Sequence, residues 1–194
     1  MANQDKPFGL RPHSSLNNSP YCGNVRMFYV PSTTGTAIFI GDPVKLGGTE
    51  GKLNPDDAPM PTVVIGTIND VMVGVVVGII PVRTDLEILY RKASTSMYVL
   101  VDVDPNTIFE LQGDLDTWDA GDVGYNMSLT FTTGSTVTGV SAMVADQSTA
   151  ANTATLDLQV LGSKPSVDND LTGAFPLILV RLNNHQYVDG TTGL

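Results

Sequence analysis

With 194 residues, 42% of them hydrophobic and only 15% charged, the chain can build one well-packed domain whose surface polarity rests on Ser, Thr, Asn and Gln. Its 20 acids against 10 bases give a formal charge of −10, which argues against nucleic acid as a partner because phosphate binding needs clustered Lys and Arg. A single cysteine, Cys22, rules out an intrachain disulfide framework.

Residues 1–24 read as an extended arm. Pro7, Gly9, Pro12, Pro20 and Gly23 interrupt it, and a segment so broken cannot hold a helix or a central strand, since Pro lacks the amide hydrogen and Gly costs backbone entropy. It needs another surface to order it. Within the first thirty residues Lys6, Arg11 and Arg26 stand against the single acid Asp5, a basic end on an acidic body, as in a subunit that clamps onto a neighbour. Phe8, Leu10 and Arg11 are the predicted anchors, because aromatic and Arg residues dominate interface energies. No apolar stretch follows the polar start, so no signal peptide and synthesis in the cytoplasm are expected.

Residues 25–162 are expected to form a β-domain. Runs rich in Val, Ile, Thr, Tyr and Phe recur between Gly, Pro, Asn and Asp clusters and predict strands at 25–30, 37–40, 43–46, 62–68, 71–80, 97–103, 108–111, 123–131, 154–161 and 176–183. The run through Val73, Val75 and Val77 is apolar on both alternating faces and predicts a central strand covered on both sides. Gly74 and Gly78 leave room there for bulges or close backbone approach. The longest apolar stretch, 71–82, is too short to span a membrane as a helix and contains two glycines and a proline. Thr84-Asp85-Leu86-Glu87 offers a capping box, with Leu86, Leu89 and Tyr90 on one face of a short helix or in a loop.

Residues 128–137 set Leu129 and Phe131 against a Thr-rich face, which suits either pairing with another chain or an ordinary hairpin. Residues 153–161 alternate, placing Leu156, Leu158 and Val160 inward and Thr155, Asp157 and Gln159 toward water. Turn-rich loops are expected at 47–61 and 162–173, and residues 163–194 read as a C-terminal extension with a polar tail from 183. The expected fold class is all-β, a jelly-roll or Greek-key sandwich or barrel with little helix.

Catalytic chemistry finds little support. His13 and His185 fall one in each terminal extension, and with one Cys no Cys/His zinc site can be assembled. Gly139-Val140-Ser141-Ala142-Met143 lacks the second glycine of a nucleophile elbow. Gly48-Thr49-Glu50-Gly51-Lys52-Leu53 lacks both the first glycine and the Ser or Thr of a phosphate loop. Asp102, Asp104, Glu110, Asp114, Asp116, Asp119 and Asp122 form an acidic stretch without Lys or Arg. Asp102-x-Asp104-x-Asn106 opens like a calcium loop, but Thr107 and Gly113 stand where Gly and Glu are required. An irregular Ca²⁺ site between Asp114 and Asp122 and a solvated acidic face both fit these residues. A glycosidase pair is disfavoured because the single Trp118 leaves little aromatic platform for sugar. The expectation is a non-enzyme with no catalytic residue, cofactor or metal.

The opening Met1-Ala2-Asn3-Gln4-Asp5-Lys6-Pro7-Phe8-Gly9-Leu10-Arg11-Pro12 and the later Phe39-Ile40-Gly41-Asp42-Pro43-Val44 resemble small virion structural proteins of tailed bacteriophages. Leu179-Val180-Arg181-Leu182-Asn183-Asn184-His185-Gln186 is similar too. The resemblance implies a capsid decoration or cement protein: a β-domain on the outside of the head, often a trimer, whose arms bridge neighbouring copies of the major capsid protein. It brings no catalytic or ligand residue with it. It implies a virion location on the capsid exterior after synthesis in the bacterial host cytoplasm, with neither nucleic acid nor membrane as partner. Alternatives from other classes are a head-to-tail connector or tail component, and a carbohydrate- or receptor-binding module of the virion.

Overall fold

The Val- and Ile-rich runs pair into two antiparallel sheets in the computed structural model, which describes residues 3–48, 52–53, 59–83 and 85–188. In chain order the strands are β1 (Arg11–Ser15), β2 (Val25–Val30), β3 (Pro43–Leu46), β4 (Lys52–Leu53), β5 (Pro59–Met60), β6 (Val63–Ile65), β7 (Gly74–Ile80), β8 (Met97–Asp102), β9 (Thr107–Gln112), β10 (Asn126–Thr130), β11 (Val144–Ala151), β12 (Leu158–Ser163) and β13 (Leu177–Leu182). The larger sheet runs β1-β9-β13-β12-β10-β11 and the smaller β2-β8-β7-β3-β6, with β4 and β5 paired apart. The fold class is the expected one, an all-β sandwich.

On the inner face of the larger sheet, Phe109 and Leu111 stand opposite Val180 and Ile178, Val180 and Leu182 opposite Val160 and Leu158, and Leu158 opposite Met127. All are buried. Cross-strand apolar pairs of this kind add roughly 0.2–1 kcal/mol each to sheet stability.

The central strand β7 is the seam between two cores. Val75 joins the large-sheet core with Met72, while Val76 points the other way, into a second core with Phe28, Val30, Ile38, Val44 and Val101. Successive strand residues face opposite sides, so a run apolar at every position suits this double burial. Both glycines act as expected. A Cβ at Gly74 (φ +155°) would collide with the Asp102 carbonyl, and Gly78 follows a register break against β8.

Several expectations need correction. The arm 1–24 is not free of the sheets, because Arg11–Ser15 forms an edge strand against β9. Nor is 163–194 a mere extension, since β13 lies in the interior of the larger sheet. Residues 37–40 form no ladder; Ile38 and Ile40 make single bridges to Arg91 and Val140. Of the two readings of residues 128–137 the hairpin holds, since β10 pairs antiparallel with the next strand, β11, and the chain leaves β10 at Phe131. Asp157 is fully buried rather than wet, accepting hydrogen bonds from the Asn69 N–H (2.7 Å) and the Leu129 N–H (3.1 Å). Thr84 of the expected capping box lies outside the described residues, while Asp85 bridges Val82 and Leu86 is exposed. A capping box does occur at Asp119 and Asp122, around the 3₁₀ turn Ala120–Asp122. Among the described residues no helix is long and apolar enough to cross a membrane.

Candidate functional site

The candidate site is the N-terminal segment and the surface that receives it. Its base is fixed. Leu10 is buried in the large-sheet core, and its N–H donates to the Gly41 carbonyl at 2.9 Å. Gly9 (φ +68°) and Gly41 (φ +97°) use the left-handed region that favours glycine, and Ser141 closes over both. A Cβ on Gly41 would come within 2.7 Å of the Phe8 carbonyl. Ser141 donates its N–H to the Ile40 carbonyl (2.8 Å), and Gly41 donates to Val76 (2.8 Å), so the arm base, the 39–44 segment and β7 are joined at one point.

Asp42 lies beneath this junction, 1% exposed. One oxygen accepts the Phe39 N–H at 2.9 Å; the other has no formed hydrogen bond, although the Ser141 side chain is close enough to affect it. Burial pushes the carboxyl up to about 6, against the lowering effect of Ser141 and the Phe39 N–H. Ser141 has no histidine beside it to act as a base: His13 is exposed on β1, and His185 is buried against Met72 and Tyr187. Burial holds His185 down at about 4, so it is neutral.

The three predicted anchors come together here but divide in role. Leu10 faces inward and completes this chain's own core. Phe8 is half-buried, with the Arg11 guanidinium carbon 4.3 Å above its ring centroid. Arg11 and Lys164 both reach the same oxygen of the buried Glu110, at 2.9 and 2.8 Å. Phe8 borders two hollows, one of about 420 Å³ with Tyr21, Ile40 and Val77, the other of about 520 Å³ with Gln112, Phe175 and Leu177.

Beyond Phe8 the chain lies across the second hollow as a strap. The Gln112 side-chain amide accepts from the Lys6 N–H (3.1 Å) and donates to the Gln4 carbonyl (2.6 Å), pairing with the main chain as a strand would. Asn3 donates to the Asp170 and Ala174 carbonyls (2.7 and 2.9 Å) and accepts from the Asp170 N–H (2.9 Å). Sequence reasoning missed Gln112, Asn169 and the 164–176 loop as the seat, because nothing local marks a residue that receives a segment a hundred positions away.

The acidic stretch does not act as a unit. Asp102 is buried beside the Tyr21 hydroxyl, and burial raises that phenol to about 12. Asp119 and Asp122 cap the 3₁₀ turn, and Glu110 binds two cations. Asp114 and Asp116 meet Asp146 of β11, with ligand atoms of all three within 4.8 Å of one another. Burial raises the Asp114 carboxyl, whose oxygens already accept from Trp118 Nε1 (3.2 Å) and the Gln147 N–H (3.3 Å).

The segments 3–12, 39–44 and 179–186 all lie at seams. The first two meet through Gly9 and Gly41, and the third continues from β13 into the Asn183–Gln186 turn. There Asn183 Nδ2 donates to the Ala154 and Leu156 carbonyls, Asn184 Nδ2 to Thr155, and Met72 exchanges main-chain hydrogen bonds with Asn184 and Gln186. No family model, curated protein or solved structure matches the chain.

Proposed function

We propose that the chain is a capsid decoration (cement) protein of a tailed bacteriophage, which binds the outside of the head and bridges major capsid subunits. The observation that carries this reading is the packing of the first two resembling segments on one another, where the Leu10 N–H donates to the Gly41 carbonyl. That contact fixes the base of the arm on its own body and leaves residues 3–8 on the exterior, as a clamping arm requires. The all-β fold, the acidic and sparsely charged chain, and an arm laid on the exterior support the same reading.

The mechanism is additive clamping without catalysis. Each subunit contributes weak contacts, and a trimer engaging several sites at once gains avidity by orders of magnitude over one contact. Phe8 and Arg11 remain the proposed contact residues; Leu10 holds the arm to its own subunit. The first experiment is to count copies of this chain per major capsid subunit in purified particles by quantitative mass spectrometry. A ratio near one is expected. A handful of copies per particle would favour a connector or fibre, and absence from particles would overturn the reading. A second experiment removes residues 1–8, stopping before Gly9 so that Leu10 and β1 remain; the expected product is folded and binds heads weakly.

A further inference from the structure

We propose that residues 3–8 are an exchangeable strap, and that their seat on the 164–177 loop and Gln112 accepts the same segment from a second copy of this chain. The contact is read almost wholly through hydrogen bonds. Two go between the Gln112 amide and the main chain of Gln4 and Lys6, and three between the Asn3 side chain and the main chain of Asp170 and Ala174. A seat that recognises a segment this way is indifferent to which copy supplies it, the condition for swapping an identical element at low cost.

The seat's loop and the anchor keep their own hydrogen bonds without the strap, and the Gln112 amide and the main chain of Asp170 and Ala174 exchange their strap partners for water. The loop is closed from within by Asn169, whose side chain donates to the Lys164 and Leu177 carbonyls (2.9 and 2.8 Å) and accepts from the Leu177 N–H (2.8 Å). The Lys164 N–H donates to the Leu177 carbonyl at 2.9 Å, and Phe175 to Asp114 at 2.9 Å. At the other end, Gly9 and Leu10 are buried under Ser141 and in the core, so release of the strap disturbs neither.

The strap itself buries little. Residues 3–6 are Asn, Gln, Asp and Lys; Gln4, Asp5 and Lys6 are exposed, and the span bridges a hollow of about 520 Å³ instead of packing on the sheet. Pivoting at Phe8–Gly9, six extended residues reach ~20 Å, which sets how close a second copy's seat must come. A short tether gives the chain's own strap an effective concentration of order mM, so exchange becomes appreciable when subunits are crowded to similar levels. The inference concerns the free subunit and does not depend on the capsid reading.

The test uses the full chain with Asp5→p-benzoylphenylalanine as a photo-crosslinker, since the Asp5 side chain makes no described contact. This light copy is mixed at about 1 mM with an unsubstituted ¹⁵N-labelled heavy copy, irradiated and mapped by peptide mass spectrometry. Light-to-light crosslinks onto residues 164–177 in the product of monomer mass report the strap on its own seat. Light-to-heavy crosslinks onto the same loop are expected, rising with protein concentration, and falling at least fivefold when the heavy copy carries Gln112→Ala. Light-to-heavy crosslinks that are absent, that map elsewhere on the heavy copy, or that are unchanged by Gln112→Ala would overturn the proposal.

Discussion

Two segments of this protein lie outside the main ladders, yet they are held in opposite ways. Residues 3–8 cross the exterior over a hollow, with five hydrogen bonds and no large apolar side chain fully buried. Residues 31–42 also form no strand, but they are welded to the second core. Arg91, 0% exposed, donates to the Thr95, Thr36 and Pro31 carbonyls at 2.8, 2.6 and 2.7 Å. Ile38 pairs with Arg91 through both main-chain hydrogen bonds, and the buried Phe39 stacks on Tyr90 at 4.9 Å. Irregular backbone is therefore no measure of looseness; what decides is whether the groups it orders are buried and satisfied.

The largest effect should come from breaking the welded segment. Arg91→Met leaves three carbonyls without their donor and should destabilise the fold by about 3–5 kcal/mol in urea unfolding. Arg91→Lys should rescue little, because an ammonium cannot reproduce the forked guanidinium.

Next is the junction between the two segments. Gly41→Ala forces a Cβ toward the Phe8 carbonyl at positive φ and should cost roughly 2–4 kcal/mol by thermal unfolding.

Asp42 should make the same junction pH-dependent. Its folded pKa, about 6, lies above the 3.8 of a free aspartate. Its contribution to stability is thus fully present below pH 3.8 and lost as pH rises through 6, a swing of roughly 3 kcal/mol. Asp42→Asn should consequently gain stability relative to the parent chain between pH 4 and 7.5, as measured by denaturant midpoints across that range. His185 works in the opposite sense: held down at about 4 against an ordinary 6.5, it contributes stability above pH 6.5 that is lost as pH falls through 4. His185→Gln should accordingly remove a loss of stability toward acid.

The smallest effect belongs to the strap. Asn3→Ala should cost no more than about 1 kcal/mol globally while speeding hydrogen exchange at the Asp170 amide. A large global loss would mean that the strap is as structural as residues 31–42 and would erase the contrast.

What could be read in the sequence follows the same division. β7, β8 and β13 announce themselves because strands inside a sheet are rich in Val, Ile and Leu, and such runs are local. β11 is hidden, since VADQSTAA has only Ala145 fully buried and an edge strand needs little apolar content. β1 is hidden by Pro12, which sheets tolerate at edges and bulges, and β1 has both. Asp157 sits at a position whose alternation reads as wet, yet it serves two main-chain donors from distant segments. At the candidate site, Phe8, Leu10 and Arg11 read alike as anchors for a partner, whereas Leu10 is buried in this chain's own core beside Gly41 and Ser141, far along the chain. The carboxylates show the same limit: Asp114 and Asp116 find their neighbour, Asp146, on another strand.

The position of β13 also sets an order in time. Because it lies between β9 and β12, those two strands are left with facing, unpaired edges on a nascent chain until residues 177–182 have left the ribosome. The larger sheet is thus closed only after β13 has followed β12 out, through contacts of high sequence separation that form slowly. During that interval the growing polypeptide presents adhesive strands to whatever surrounds it, the condition under which chaperones act on a nascent chain.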